Sequence, residues 1–111
     1  MSSELRDRLQ AGLQDAMKDR DLLAVSVLRT ALAEVANAEA VDATGARAAT
    51  GLFSTEVERR FLSDADVRAI VEATRDELTG AARRLRGLGH PDAAGVLDTK
   101  AGLLRSYLVD A

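Results

Sequence analysis

The sequence predicts an all-α fold, a small bundle of about four helices arranged as two helical hairpins. Apolar residues make up 47% of the 111 residues but aromatic residues only 3%, so Leu, Val and Ala must build the core. Alanine, leucine and charged residues dominate and there is one proline, a composition that favours helices. Apolar residues also recur at steps of three and four in four separate segments. A chain of this length is expected to form one domain.

The first hairpin is expected to consist of helices over residues 3–18 and 22–39. Ser2 or Ser3 can cap the first helix, and its apolar stripe follows at Leu5, Leu9, Leu13, Ala16 and Met17. Four charged residues then interrupt the stripe, and the last of them, Asp21, suits the N-cap of the second helix. The second helix is predicted to be the most buried, with a stripe at Leu22, Val25, Leu28, Leu32 and Val35.

Residues 40–62 are expected to form a loop because the helical period is lost there. The segment contains Gly45 and Gly51, and a short extended piece is expected around Leu52 and Phe53. A loop of this length in a small domain is either mobile or functional, and mobility is the preferred interpretation.

The second hairpin is expected to consist of helices over residues 64–86 and 91–108. Ser63 with an acidic residue three positions later predicts a capping box, and Leu62 with Val67 predicts a hydrophobic staple. Gly87 or Gly89 should end the third helix, and Pro91 fits the first position of the fourth.

Composition restricts the possible functions. The net charge of -3 argues against nucleic-acid binding through overall charge, so any RNA binding must use a local basic patch. The absence of cysteine excludes disulfides, thiolate zinc sites and cysteine nucleophiles. No apolar run reaches the length of about 20 residues that spans a bilayer, and the N-terminus does not resemble a signal peptide. We therefore expect a cytoplasmic protein without a membrane association.

The residues that catalysis would need are missing or isolated. His90 stands at a helix start, where a capping or surface role is expected, and Ser26 has no histidine in its own helix to activate it. We find no spacing typical of metal ligands and no glycine-rich nucleotide loop. The sequence therefore predicts no catalytic residues, no metal and no cofactor, and we do not expect an enzyme.

Two sets of residues are candidates for binding RNA or a protein partner. Arg29 and Asn37 lie on the second helix, about 80° and about 12 Å apart. Either they contact a ligand, or Arg29 covers apolar surface or pairs with a carboxylate while Asn37 ends the helix. The second set is arginines of the third helix that can contact phosphates or pair with acidic neighbours: Arg75, Arg83, Arg84 and Arg86. Arg59 and Arg60 would extend this second set if the loop folds back.

Several short motifs, in order, resemble the GatB/YqeY family. They are the run AMKDRD at 16–21, SVLR at 26–29, NAE at 37–39 and the closing LRSYL at 104–108. The chain departs from the family at Glu77-Leu78, where members carry Gln-Arg, and in the fourth helix, where they carry several glutamates. It resembles a short form that keeps only the first subdomain.

The resemblance implies a non-catalytic helical module with tRNA as the first ligand to test. In the family this domain is the tail of the B subunit of a tRNA-dependent amidotransferase, and it also occurs as free-standing small proteins. The carbon–nitrogen ligase activity of that enzyme, with glutamine as amido-N-donor, is not expected of this chain alone. The alternative is a protein-interaction module or self-association, with the chain a monomer or a homodimer.

Overall fold

The all-α fold is confirmed. The structure is a computed structural model that describes the backbone of residues 3–50 and 62–109, and the side chains of residues 3–40 and 62–109. Within these ranges the chain forms four helices and no strand: α1 over Glu4–Lys18, α2 over Leu22–Thr50, α3 over Asp64–Gly87 and α4 over Pro91–Val109.

The second helix is longer than the sequence predicted. α2 continues to Thr50, so the prediction of a loop over 40–62 is wrong for residues 40–50. This segment lacks an apolar stripe but is rich in alanine, the strongest helix former, and one glycine costs a helix only about 1 kcal/mol. The end of the apolar stripe therefore does not mark the end of the helix. The remainder of the predicted loop, residues 51–61 with Leu52, Phe53, Arg59 and Arg60, lies outside the described residues.

Both hairpins turn through the same backbone geometry. Each first helix is followed by one residue with positive φ, Arg20 at 57° and Gly89 at 83°. In each turn an amide donates back across the last helical turn to a carbonyl of the preceding helix, at 2.9 Å and 2.8 Å respectively, as in a Schellman motif. Asp21 then caps α2 by accepting a hydrogen bond from the Ala24 amide at 3.2 Å. The sequence signals for both turns therefore predicted their positions correctly.

The predicted start of α3 is also confirmed. Ser63 Oγ accepts a hydrogen bond from the Asp66 amide at 3.1 Å, and the Ser63 amide donates to Asp66 Oδ2 at 3.3 Å. Leu62 and Val67, the two residues of the staple, are both buried in the core.

The core divides the α3–α4 hairpin into two parts. Its main apolar cluster joins all four helices and includes Leu5, Leu9, Val27, Leu28, Val35, Val67, Val71 and Leu104. Along α3, Leu78 is the last residue packed against this cluster. Beyond it the two helices pack on each other through small residues, with Ala82 and Ala94 fully buried. This distal part of the hairpin therefore presents most of its side chains to solvent.

Candidate functional site

An open groove between α3 and α4 brings together arginines from both helices. Its volume is about 510 Å³. Arg75, Thr79 and Arg83 succeed one another at four-residue steps on α3, which places them on one face of the helix. Arg105 approaches from α4. We call this feature, lined also by Asp76, Asp98, Ala101 and Gly102, the arginine groove.

The arginine groove carries positive charge on an acidic protein. Its three arginines face two aspartates, an excess of one positive charge, whereas the whole chain has a net charge of -3. Arg75 Nη2 contacts Asp76 Oδ1 at 3.2 Å, a pair of adjacent residues. Asp98 is hydrogen-bonded to Arg86, which stands at the edge of the groove. The two lining arginines other than Arg75 are therefore the best placed to bind an anion.

The structure separates the other predicted site residues. Arg84 follows Arg83 but points elsewhere, since its Nη1 lies 3.7 Å from where a Cβ on Gly80 would stand. Arg29 is exposed on α2. The four arginines predicted on α3 therefore do not share one surface. Arg105 was missed because a residue on a different helix joins the groove only through tertiary packing.

Asn37 lies in a different groove, between α2 and α3. This groove has a volume of about 440 Å³ and an apolar floor that includes Ile70 and Ala73. Glu34 and Glu77 line it together with Asn37. Two carboxylates make this groove unsuitable for a phosphate, so Asn37 and the arginine groove do not form one site.

Glu39, at the end of the NAE motif, holds the first hairpin together. Its carboxylate accepts two hydrogen bonds from Arg6 on α1, from Nη1 at 2.8 Å and from Nη2 at 2.5 Å. The Glu39 side chain is only 3% exposed and that of Arg6 27%. This hydrogen bonding to Glu39 raises the pKa of Arg6 above its ordinary value. The contact is between helices, which indicates a structural role for this residue.

Charged residues also connect helix ends to neighbouring helices through hydrogen bonds. Asp64 Oδ1, at the start of α3, accepts hydrogen bonds from Ser3 Oγ at 2.7 Å and from the Leu5 amide at 2.8 Å. Arg8 donates to the Tyr107 carbonyl at 3.0 Å, and Arg68 donates to the Leu108 carbonyl. Both carbonyls lie in the last turn of α4. Carboxylates at helix N-termini and cations at C-termini are the pairing that the helix dipole favours.

We expect Asp64→Asn to destabilise the fold by about 1 kcal/mol at pH 7, the usual cost of weakened capping bonds. The amide of Leu5 and the hydroxyl of Ser3 hold the pKa of Asp64 below its usual value of 3.8. A lowered pKa contributes stability above the unfolded-state pKa and loses it as the pH falls through the folded-state pKa. The difference between the native protein and the variant should therefore shrink below about pH 4.

Urea unfolding at pH 7 and at pH 3 measures this difference. Asp92→Asn is the matched control, because Asp92, like Asp64, is an acidic residue in the first turn of a helix. A gap between the native protein and Asp64→Asn that stays constant with pH would contradict the assignment.

The described residues offer no metal site and no membrane span. No group of His, Asp or Glu side chains among them is arranged to hold a metal ion. None of the helices, as far as the structure describes them, is long and apolar enough to cross a membrane.

The fold and the arginine groove together define a small all-α helical bundle with a basic groove on its second hairpin. The chain matches no protein-family model, no curated protein and no solved structure. The GatB/YqeY resemblance therefore stays a prediction that rests on the motifs in the sequence.

Proposed function

We propose that this chain is a non-catalytic helical module that binds the phosphate backbone of RNA through the arginine groove, with tRNA as the first ligand to test. The observation that carries the proposal is the convergence of Arg75, Arg83 and Arg105 from two helices on one groove. Guanidinium groups match phosphate oxygens in geometry and bind them by charge-assisted hydrogen bonds.

The charge distribution supports this proposal. An acidic chain repels RNA over most of its surface, so a local excess of arginine selects where a phosphate backbone can approach. The groove is open to solvent rather than enclosed, which suits an extended polyanion better than a small buried substrate. Phosphate contacts of this kind position a nucleic acid and carry no sequence information by themselves.

The resemblance to the GatB/YqeY family supports tRNA as the first ligand. In the B subunit of the amidotransferase the domain helps to engage tRNA while other domains perform the chemistry. The same division of labour would make this chain a cytoplasmic accessory module, without a cofactor and without ligase activity of its own.

Fluorescence anisotropy with labelled tRNA, at about 50 mM and about 150 mM salt, tests the proposal. We expect Arg83→Glu to weaken binding about tenfold, because it removes a phosphate contact and adds repulsion. Arg84→Glu changes the charge by the same amount one residue away, outside the groove, and should alter binding less than about twofold. An unrelated RNA hairpin reports any preference for tRNA.

Two results would contradict the proposal: absence of binding to either RNA, or equal losses for Arg83→Glu and Arg84→Glu. Equal losses would mean that only the overall charge matters.

A second candidate is a protein-interaction module that binds another protein or its own copy. Leu88 and Val96, both on the distal part of the α3–α4 hairpin, are 72% and 47% exposed. Burying their apolar surface in an interface would favour association. In that case RNA would not bind. For self-association, light scattering would give a mass above the 11.8 kDa of one chain.

A further inference from the structure

We propose that Asp98 is an internal competitor for phosphate that limits the affinity of the arginine groove; this inference rests on the proposed function of that groove. Asp98 stands on α4 and lines the groove, and its Oδ2 accepts a hydrogen bond from Arg86 on α3. The Asp98 carboxylate therefore accepts the hydrogen bond that the Arg86 guanidinium would otherwise donate to a phosphate group of RNA.

The Arg86–Asp98 pair contributes little to the stability of the fold. The side chains are 51% and 41% exposed, and an ion pair this open to water adds little to the stability of a fold. The carboxylate and a phosphate compete for Arg86 because both accept charge-assisted hydrogen bonds from the planar guanidinium. In the native chain Asp98 keeps Arg86 paired, whereas replacing Asp98 costs the fold little and frees the guanidinium for a phosphate.

Asp98 opposes RNA binding in two ways. It occupies Arg86, which would otherwise be available at the edge of the groove, and it places a negative charge among Arg75, Arg83 and Arg105. Without Asp98, the same groove would present one more arginine and one fewer carboxylate.

The experiment compares the native chain with Asp98→Asn, using labelled tRNA at salt concentrations from about 50 to about 200 mM. We expect Asp98→Asn to bind about fivefold more tightly at about 0.1 M salt. We also expect a plot of log K against log salt to become steeper by about 0.7 to 0.9, the value for one additional phosphate contact. The urea midpoint should change little, because the lost ion pair is exposed.

Two further variants separate this mechanism from a simple change in net charge. Glu77→Gln also removes one carboxylate, but Glu77 lines the groove between α2 and α3, so the salt slope should not change. The double variant Arg86→Ala/Asp98→Asn should return to the native salt slope, because the released guanidinium is gone.

The outcomes distinguish this inference from the proposed function. If the native chain binds tRNA and Asp98→Asn binds no more tightly than Glu77→Gln, the competitor role is wrong and the RNA-binding groove stands. If neither the native chain nor Asp98→Asn binds RNA, both are wrong. A steeper slope for Asp98→Asn that Arg86→Ala abolishes supports the competitor role.

Discussion

Arg6→Ala is expected to destabilise the protein by about 2 kcal/mol. Removing one member of a buried ion pair typically costs about 3 to 5 kcal/mol, because the remaining charge loses compensation in a medium of low dielectric constant. Glu39 is buried, but Arg6 is partly exposed, which lets water reach the site and reduces the cost. The carboxylate loses both hydrogen bonds from the guanidinium, so the contact between α1 and α2 weakens directly.

A double-mutant cycle with Glu39→Gln isolates the contribution of the pair. Glutamine is uncharged, so in the Arg6→Ala background the second substitution removes the buried charge that the guanidinium had compensated. We therefore expect the double variant to be more stable than the sum of the two single effects predicts, by at least about 1 kcal/mol. Urea unfolding at pH 7 measures all four proteins.

Arg75→Ala is the matched control, because Arg75 pairs with the exposed carboxylate of Asp76. Exposed pairs of this kind contribute about 0 to 1 kcal/mol, so this variant should remain close to the native stability. Equal losses for Arg6→Ala and Arg75→Ala, or strictly additive effects in the cycle, would show that the Arg6–Glu39 contact does not stabilise the hairpin.

Gly12→Ala is expected to destabilise the protein by about 1 kcal/mol, although alanine normally stabilises a helix by about 1 kcal/mol relative to glycine. The Tyr107 ring of α4 lies directly over Gly12 on α1: a Cβ there would overlap the phenol oxygen and stand 2.9 Å from Cζ. The ring would have to move away. It would then lose its packing and its contact with the Arg8 guanidinium, 5.6 Å from the ring centre.

Removing the ring should reverse the sign of this effect. In a Tyr107→Ala background the ring no longer obstructs a methyl group at position 12, so Gly12→Ala should stabilise that protein by about 1 kcal/mol through helix propensity alone. Thermal or urea unfolding of the four proteins measures the reversal. Gly102→Ala is the control for propensity, since a Cβ at Gly102 would meet no described atom within 4 Å.

The opposite pattern would contradict this account of Gly12. If Gly12→Ala stabilises the native chain as much as Gly102→Ala does, then Tyr107 accommodates the methyl group and the close approach has no energetic consequence.

Features of local origin could be predicted from the sequence. The cap at Asp21, the capping box of Ser63 and Asp66, and the glycine turn at Gly89 each involve residues a few positions apart, whose geometry one segment of chain decides. The apolar stripes predicted most of each buried face for the same reason, but they were wrong for Met17 and Leu22, which stand at the ends of their stripes and are 50% and 80% exposed. The error at the end of α2 has the complementary cause: alanine-rich residues sustain a helix without an apolar stripe, so burial and helicity end at different positions.

Only tertiary packing completed the candidate site and formed the contacts between helices. Arg105 lies near Arg83, and Asp98 contacts Arg86, only because particular faces of α3 and α4 pack against each other. The Arg6–Glu39 and Asp64–Ser3 bonds join residues 33 and 61 positions apart. Helical periodicity determines which residues share a face of one helix. Which faces meet depends on how the side chains of all four helices fill one core, and no local segment of the sequence contains that information.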